Sequence, residues 1–154
     1  QGKKNLKISL MIWGDPSLYD SAIRIFATIN KKNDKFNLTV IPGITAIQVL
    51  TAAHKITLNS IGGDILITTG RRLREDDFPG SQGSLVVMLD DQCSFNQTSL
   101  NEYYIYWGAY LGMENQILVA GLVNEVGDEI IHKRALARSK YGWIMDTYLL
   151  RKTG

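Results

Sequence analysis

Short apolar blocks separated by glycine and proline turns predict that the first third of this chain alternates strands and helices. Apolar runs at residues 8–12 and 37–41 predict two strands. Apolar positions at helical spacing then predict helices over residues 17–31 and 45–54. Ser17 suits the start of the first helix, because its side chain can accept a hydrogen bond from the first turn. Two successive βα units indicate an α/β fold.

The rest of the chain is richer in strands than in helices. After a turn region at residues 58–64, one helix is predicted over residues 124–139. Because a wholly parallel sheet needs more helices, we expect a mixed sheet whose last strand is antiparallel. We therefore predict an N-terminal α/β domain over residues 1–60 and a C-terminal α/β domain with a mixed sheet over residues 61–154. The predicted strands of the second domain cover residues 65–69, 84–89, 103–110, 116–123 and 143–150.

Two turns in the first part of the chain are candidates for ligand binding. The first is Gly14-Asp15-Pro16, and the second is Pro42-Gly43 followed by Thr45. Glycine adopts a positive φ, aspartate hydrogen-bonds the backbone and proline begins a helix, so ordinary turn chemistry explains both. The alternative is that glycine lets the backbone approach a ligand, with Asp15 and Thr45 offering polar groups to it.

Composition favours a soluble globular protein without excluding many functions. The chain is 45% hydrophobic and 21% charged, and its net charge of +2 is too small to indicate nucleic-acid binding. A single cysteine, Cys93, excludes an internal disulfide framework and fits a reducing cytoplasm. No apolar run approaches the roughly 20 residues that cross a bilayer.

Several common active-site patterns are missing from the sequence. His54 and His132 have no cysteine or carboxylate partners at ligand spacing, so we expect no metal site. No Gly-x-Ser-x-Gly, phosphate-loop or Gly-x-Gly-x-x-Gly motif occurs, which argues against a serine hydrolase and a nucleotide triphosphatase. The Gly80-Ser81-Gln82-Gly83 stretch falls in a predicted loop that also contains residues 76–79.

A basic cluster and an aromatic cluster allow both a structural and a binding interpretation. Arg71, Arg72 and Arg74 form either a solvated loop or a clamp for carboxylates, which guanidinium groups bind in a bidentate manner. The aromatic residues suit core packing, although some rings could face an apolar ligand. They are Tyr103, Tyr104, Tyr106, Trp107 and Tyr110.

In their order along the chain, these motifs resemble the tetrapyrrole (corrin/porphyrin) methylases. The shared features are Gly-Asp-Pro-x-x-Tyr, Ile-Pro-Gly-Ile-Thr-Ala, Ile-Thr-Leu-Asn, Leu-Val-Val-Met-Leu and Ile-Leu-Val-Ala-Gly. Three further segments are similar to members that act on precorrins: residues 67–73, 105–112 and 142–151. The resemblance covers nearly the whole chain.

The resemblance implies an S-adenosylmethionine-dependent C-methyltransferase of cobalamin biosynthesis. Its substrate would be a precorrin-type tetrapyrrole, methylated at C-1 with release of acetic acid, and no metal would be needed. In this family two α/β domains enclose the ligands, members are commonly homodimers, and related members hold the cofactor largely by backbone groups. With such a substrate, our hypothesis is that Arg71, Arg72 and Arg74 meet its carboxylates. The implied cofactor contacts are Gly14, Asp15, Tyr19, Thr45, Ala46, Met88, Ala109 and Ala120.

Other expectations stay open at this point. The chain begins at Gln1 without methionine and runs almost directly into an apolar block, so we expect a truncated first domain and impaired activity of the chain alone. Asp146, Tyr106 and Tyr148 have suitable side chains for acid or base chemistry, but only their residue type supports that role. A tetrapyrrole methylase of different regiospecificity and a non-catalytic module that binds a small ligand remain alternatives.

Overall fold

The computed structural model describes residues 6–33, 36–75 and 83–152. Its backbone contacts divide the chain after Thr45 into two compact units, residues 1–45 and 46–154. The domain boundary predicted near residue 60 stays a prediction. The loop predicted over residues 76–82 lies outside the described residues.

Among its described residues, the first unit contains one helix, α1, which spans Ala22–Asn33. The backbone N–H of Ala22 donates to Oδ1 of Asp20 at 2.6 Å, so the Asp20 side chain caps the first N–H of the helix. The prediction that this helix begins at Ser17 is therefore wrong. Ser17 instead binds Asp15 in the preceding turn, which commits its side chain before a helix can start. The ring of Phe26 packs edge-on against Phe36 at 5.8 Å.

The two strands predicted in the first unit are absent from the described residues. Residues 8–12 and 37–41 carry no ladder assignment. Their side chains are largely exposed, as the 96% exposure of Met11 shows. An apolar run favours an extended backbone, but a strand exists only where a neighbour completes its hydrogen bonds. Those two predictions are wrong for this reason.

The second unit is built on one five-stranded sheet. The strands are β1 Ile65–Thr69, β2 Ser84–Met88, β3 Tyr103–Ala109, β4 Ile117–Leu122 and β5 Asp146–Lys152. Strands β1 and β2 are parallel, whereas β5 lies between β2 and β3 and is antiparallel to both, with β4 at the far edge. The predicted mixed sheet and its antiparallel last strand are confirmed.

Helices cover both faces of this sheet. Helix α4, Val123–Tyr141, packs against β3 and β4, and α2, Ala46–His54, packs against β3 and β5. The main core lies on the α4 face and includes Trp107 and Ile130, neither of which is exposed. The predictions did not include helix α3, Gly70–Glu75, or the short 3₁₀ helix Thr98–Leu100. No helix in the described part of the chain is long and apolar enough to cross a membrane.

Three strands of the sheet end on the same side of it. Strands β1, β2 and β3 run the same way, so they finish together at Thr69, Met88 and Ala109. Strand β5 begins at the same level, because Asp146 pairs with Ala109. We call this the carboxyl edge of the sheet. Ligands of α/β proteins commonly bind at such an edge.

Candidate functional site

Asp15 connects the two predicted ligand-binding turns of the first unit. Its carboxylate accepts hydrogen bonds from the backbone N–H of Ser17 and of Gly43, each at 2.8 Å, and from the Ser17 hydroxyl. Residues 15 and 43 are far apart in sequence, so this one side chain brings the turns together. Gly14 has a φ of +75°, a left-handed conformation that glycine adopts without strain.

Gly43 is required by the close approach of these two turns. A Cβ atom built on Gly43 would overlap the carbonyl oxygen of Gly14, which is a backbone atom that cannot rotate away. Any larger residue would therefore force the turns apart. The two turns therefore meet backbone to backbone.

The charge of Asp15 is stabilised by these contacts. The hydrogen bond from the Ser17 hydroxyl, followed by those from the Gly43 and Ser17 backbone, lowers the pKa of the carboxyl below its ordinary value of 3.8. Tyr19 follows the turn with a φ of +51° and is 46% exposed. Partial burial raises the pKa of its hydroxyl, so this group is a neutral donor near pH 7. Thr45 is half-buried and directly precedes α2.

In the second unit, the predicted cofactor contacts divide between the two faces of the sheet. Met88 and Ala120 lie on the α2 face, since each is in phase with Val86 or Tyr106, which face that way. Ala109 lies on the opposite face beside the core, so only its backbone is at the carboxyl edge. Ala46 is the first residue of α2.

One exposed residue at the carboxyl edge was missed in the sequence. Leu89 follows Met88 directly, is 58% exposed and has a φ of +53°. A leucine in the left-handed region is uncommon and marks a position that its surroundings hold in place. The motif Leu-Val-Val-Met-Leu ends at Leu89, but nothing in the sequence distinguishes this leucine from the last residue of a strand.

The three arginines have different surroundings. Arg71 and Arg72 are exposed on α3, and Arg71 lies 4.0 Å from Glu75. Arg74 instead lies 3.3 Å from the carboxylate of Asp90 and 3.8 Å from that of Asp91. Its guanidinium is therefore engaged within the protein rather than turned outward.

Two of the three candidate acid or base residues are buried in the second unit. Asp146, with a side chain 5% exposed, accepts hydrogen bonds from Trp107 Nε1 at 2.9 Å and Arg134 Nε at 3.0 Å. Burial raises the pKa of Asp146, and Arg134 opposes that shift. Tyr148 is fully buried and donates to Asp90 at 2.7 Å. The third candidate, Tyr106, is partly exposed on the α2 face.

The described residues contain no cluster of histidine, cysteine and carboxylate groups that could hold a metal. His54 contacts the carbonyl of Trp107 through Nε2 at 3.0 Å and stacks edge-on against Tyr106. This histidine therefore joins α2 to β3, which is a structural role.

Comparison with known proteins gives consistent results. The profile of the family described as Tetrapyrrole (Corrin/Porphyrin) Methylases matches residues 2–127. A precorrin-6A synthase (deacetylating) from Sinorhizobium sp. is 50% identical over 145 residues, which are 94% of this chain and 55% of that protein. The chain thus spans about half the length of this curated relative.

Solved structures show the same relationship. A structure described as a cobalamin-synthesis-related protein (CobF) from Corynebacterium diphtheriae is 46% identical and has a TM-score of 0.86, over 93% of this chain and 60% of that one. A uroporphyrin-III C-methyltransferase from Thermus thermophilus, in complex with S-adenyl homocysteine, shares the fold at 13% identity. Its TM-score is 0.58, over 90% of this chain and 62% of that one. The chain therefore belongs to the tetrapyrrole (corrin/porphyrin) methylase family.

Proposed function

We propose that this chain belongs to an S-adenosylmethionine-dependent C-methyltransferase of cobalamin biosynthesis. The reaction would methylate precorrin-5 at C-1 and release acetate, which gives precorrin-6A. The observation that carries this proposal is the 50% identity to a precorrin-6A synthase over 94% of the chain. The chain spans 55% of that relative, so the activity of the whole relative is a proposal for this chain.

The residues of each unit fit the cofactor chemically. S-adenosylmethionine carries a sulfonium cation and an adenosine, which suit carboxylates, carbonyl oxygens and aromatic faces. In the first unit, Asp15 stays anionic and the Gly14–Gly43 contact presents backbone at close range. In the second unit, the carboxyl edge offers backbone and apolar groups. We propose cofactor contacts by Gly14, Asp15, Tyr19 and Thr45 of the first unit and by Ala46, Met88, Ala109 and Ala120 of the second.

The cofactor would supply an activated methyl group, so the protein need not provide a nucleophile. The residues of this chain would bind and orient both reactants and exclude water from them. Glycines that let the backbone approach closely, and a loop residue fixed in an unusual conformation, suit that positioning role. This is consistent with a site that lacks a catalytic triad motif.

The substrate would be recognised through its carboxylates. Arg71 and Arg72 lie on the exposed surface of α3, which begins directly after β1 at the carboxyl edge. We propose that their guanidinium groups pair with substrate carboxylates. Arg74 is a weaker candidate, because the carboxylate of Asp90 already occupies it.

Release of the acyl group requires a water molecule, whose oxygen bonds to the acyl carbon as the ring–acyl bond breaks. The electron pair of that bond stays on the ring carbon, which takes up a proton. Among the candidates named from the sequence, Asp146 and Tyr148 lie in the core, so we assign neither to this step. We retain Tyr106 as the candidate acid or base for this step, because it is partly exposed on the α2 face. A homodimer and a cytoplasmic location stay predictions.

The test is methyl transfer with precorrin-5 as acceptor. Since the relative is longer, the assay uses this chain and a chimera in which it replaces the matching 145 residues of the Sinorhizobium protein. We expect the chimera to give a product that has gained one methyl group and lost the acyl group, together with equimolar acetic acid. Methylation without acetic acid would indicate a different regiospecificity. Cofactor binding without transfer would indicate a binding module.

The substrate role of the arginines has its own test in the same chimera. Replacing Arg71 and Arg72 by alanine should weaken precorrin binding, measured as an increase in KM, while the affinity for S-adenosylhomocysteine stays unchanged. Equal loss of both affinities would refute the assignment. Lys133→Ala removes an exposed cation from α4 and serves as a matched control.

A further inference from the structure

The carboxylate of Asp90 is the centre of a buried polar cluster behind the carboxyl edge. Asp90 is 4% exposed, and its two oxygens accept five hydrogen bonds that come from four residues on different parts of the second unit. The donors are the Tyr148 hydroxyl at 2.7 Å, the Ser94 N–H at 2.6 Å and hydroxyl at 2.7 Å, the Gln92 N–H at 3.2 Å and Arg74 Nη1 at 3.3 Å. We call residues 89–94 the Asp90 loop.

Gly70 shows that the position of Asp90 is tightly constrained. A Cβ atom built on Gly70 would overlap the carboxylate and Cβ of Asp90. The Asp90 side chain therefore passes directly over the turn from β1 to α3, the helix that carries Arg71 and Arg72. Through Gly70 and Arg74, Asp90 fixes this turn as well as its own loop.

Arg134 holds the same loop from the other side. Its side chain reaches from α4 and donates to the carbonyl of Asp90 at 3.0 Å and that of Asp91 at 3.3 Å. The third contact of its guanidinium is with Asp146 at 3.0 Å. Two arginines and two buried carboxylates are thus used to fix one short loop.

The loop that these groups hold is in an unusual conformation. Two of its residues, Leu89 and Cys93, have φ values of +53° and +55°, which are rarely populated by residues other than glycine. Such conformations persist only when their surroundings over-determine them, and they concentrate at binding sites. Burying charge is itself costly, so a stability role alone would be served as well by an apolar cluster of the same volume.

We propose that Asp90 is a positioning residue that holds the Asp90 loop and the β1–α3 turn in the arrangement needed for ligand binding at the carboxyl edge. The ligand part of this inference rests on the proposed function, whereas the ordering of the loop does not. Asp90 contacts neither reactant; it acts through Leu89 and through the turn before Arg71.

Two measurements test this proposal on the full chain. The first is the affinity for S-adenosylhomocysteine, measured by calorimetry. The second is the rate at which iodoacetamide alkylates Cys93, which is the one cysteine of the sequence and lies inside the Asp90 loop. Burial raises the pKa of the Cys93 thiol to about 11, so alkylation is slow while the loop is ordered.

The variant is Asp90→Asn, which keeps the side-chain shape and removes the charge. We expect its affinity for S-adenosylhomocysteine to fall about tenfold and Cys93 alkylation to rise about tenfold, as for the loss of charge-assisted hydrogen bonds. Asp128→Asn is the matched control, because Asp128 is exposed on α4 and the substitution makes the same charge change outside the Asp90 loop. Both of its values should equal those of the wild type.

A second control, Ile105→Val, distinguishes a general loss of stability from a loss of positioning. It removes one buried methyl group from the middle of β3. This variant should lower the melting temperature and leave both readouts unchanged. If Asp90→Asn does not fold, Tyr148→Phe removes a single hydrogen bond to Asp90 and should move both readouts in the same direction by a smaller factor.

The outcomes distinguish the inference from the proposed function. Wild-type readouts in a folded Asp90→Asn variant would overturn the inference, and so would faster alkylation with unchanged affinity, which would leave only a structural role. If the wild type does not bind S-adenosylhomocysteine, the proposed cofactor contacts fail in this chain. The alkylation rate then decides the ordering role of Asp90 by itself, and an unchanged rate refutes it.

Discussion

Asp15 is the residue on which the turn pair of the first unit depends. Because hydrogen bonds from Ser17 and Gly43 lower its pKa below 3.8, it contributes stability at pH values above 3.8. That contribution is lost as the pH falls through the lower pKa of the folded state. The surface that presents Gly14 and Gly43 should therefore be intact at neutral pH and open in acid.

The Gly43 amide proton reports this titration directly, because it donates to Asp15 at 2.8 Å. We expect its NMR chemical shift to change with pH with a midpoint below 3.8, the ordinary value for aspartate. Asp15→Asn should abolish the change. A midpoint at or above 3.8 would show that the hydrogen bonds do not stabilise the charged form.

Gly70→Ala tests the close approach of Asp90. Alanine normally stabilises a helix relative to glycine by about 0.5–1 kcal/mol. Gly70 begins α3, but here the new methyl group would displace a carboxylate that is held by several hydrogen bonds. We expect a loss of about 1–3 kcal/mol, as for overpacked sites, measured by urea unfolding of the second unit. Gly127→Ala, where a methyl has ordinary contacts, should not destabilise.

Side-chain contacts could be predicted from the sequence where both partners lie within a few residues of each other. The sequence Gly14-Asp15-Pro16 indicates a turn held by aspartate, and the structure contains one. Asp90 looks just as ordinary in the sequence, since an aspartate after a strand is common in turns. Its role depends on Tyr148 and Arg74, residues that only the folded sheet brings together. No pattern within a short window contains that information.

At the scale of elements, the start of α1 shows how side-chain competition sets a helix boundary. Pro16 and Ser17 suit a helix start, but Asp15 binds Ser17 and the helix begins after Asp20 instead. We expect Asp20→Ala to destabilise α1 by about 1 kcal/mol, so that its amides exchange about fivefold faster. Ser17→Ala should leave the exchange of α1 unchanged. An effect of Ser17→Ala larger than that of Asp20→Ala would contradict the assigned cap.

The strands show what apolar patterns can and cannot predict. The five strands of the second unit were all predicted within a few residues, because their apolar blocks are bounded by clear turns. The apolar blocks at residues 8–12 and 37–41 predict strands just as clearly, yet in the described residues neither block pairs with another strand. Pairing depends on a partner that can be distant in sequence. Helix α3 was missed because Gly70 and the three arginines resemble a loop.

At the scale of the whole molecule, family membership and residue chemistry agree. The family profile and the 46% identical structure establish the fold, which the mixed sheet of the second unit shares. The central claim is that residues of this chain bind the methyl donor. The assigned contacts in the first unit depend on the Gly14–Gly43 approach, so one substitution there tests them.

The most direct measurement is calorimetric titration of the chain with S-adenosylhomocysteine, for the wild type, Gly43→Ala and Gly127→Ala. We expect saturable binding of one ligand to the wild type. Binding should be at least tenfold weaker in Gly43→Ala, where the methyl group overlaps the carbonyl of Gly14, and unchanged in Gly127→Ala. Absence of binding to the wild type, or equal affinities of the wild type and Gly43→Ala, would contradict the account.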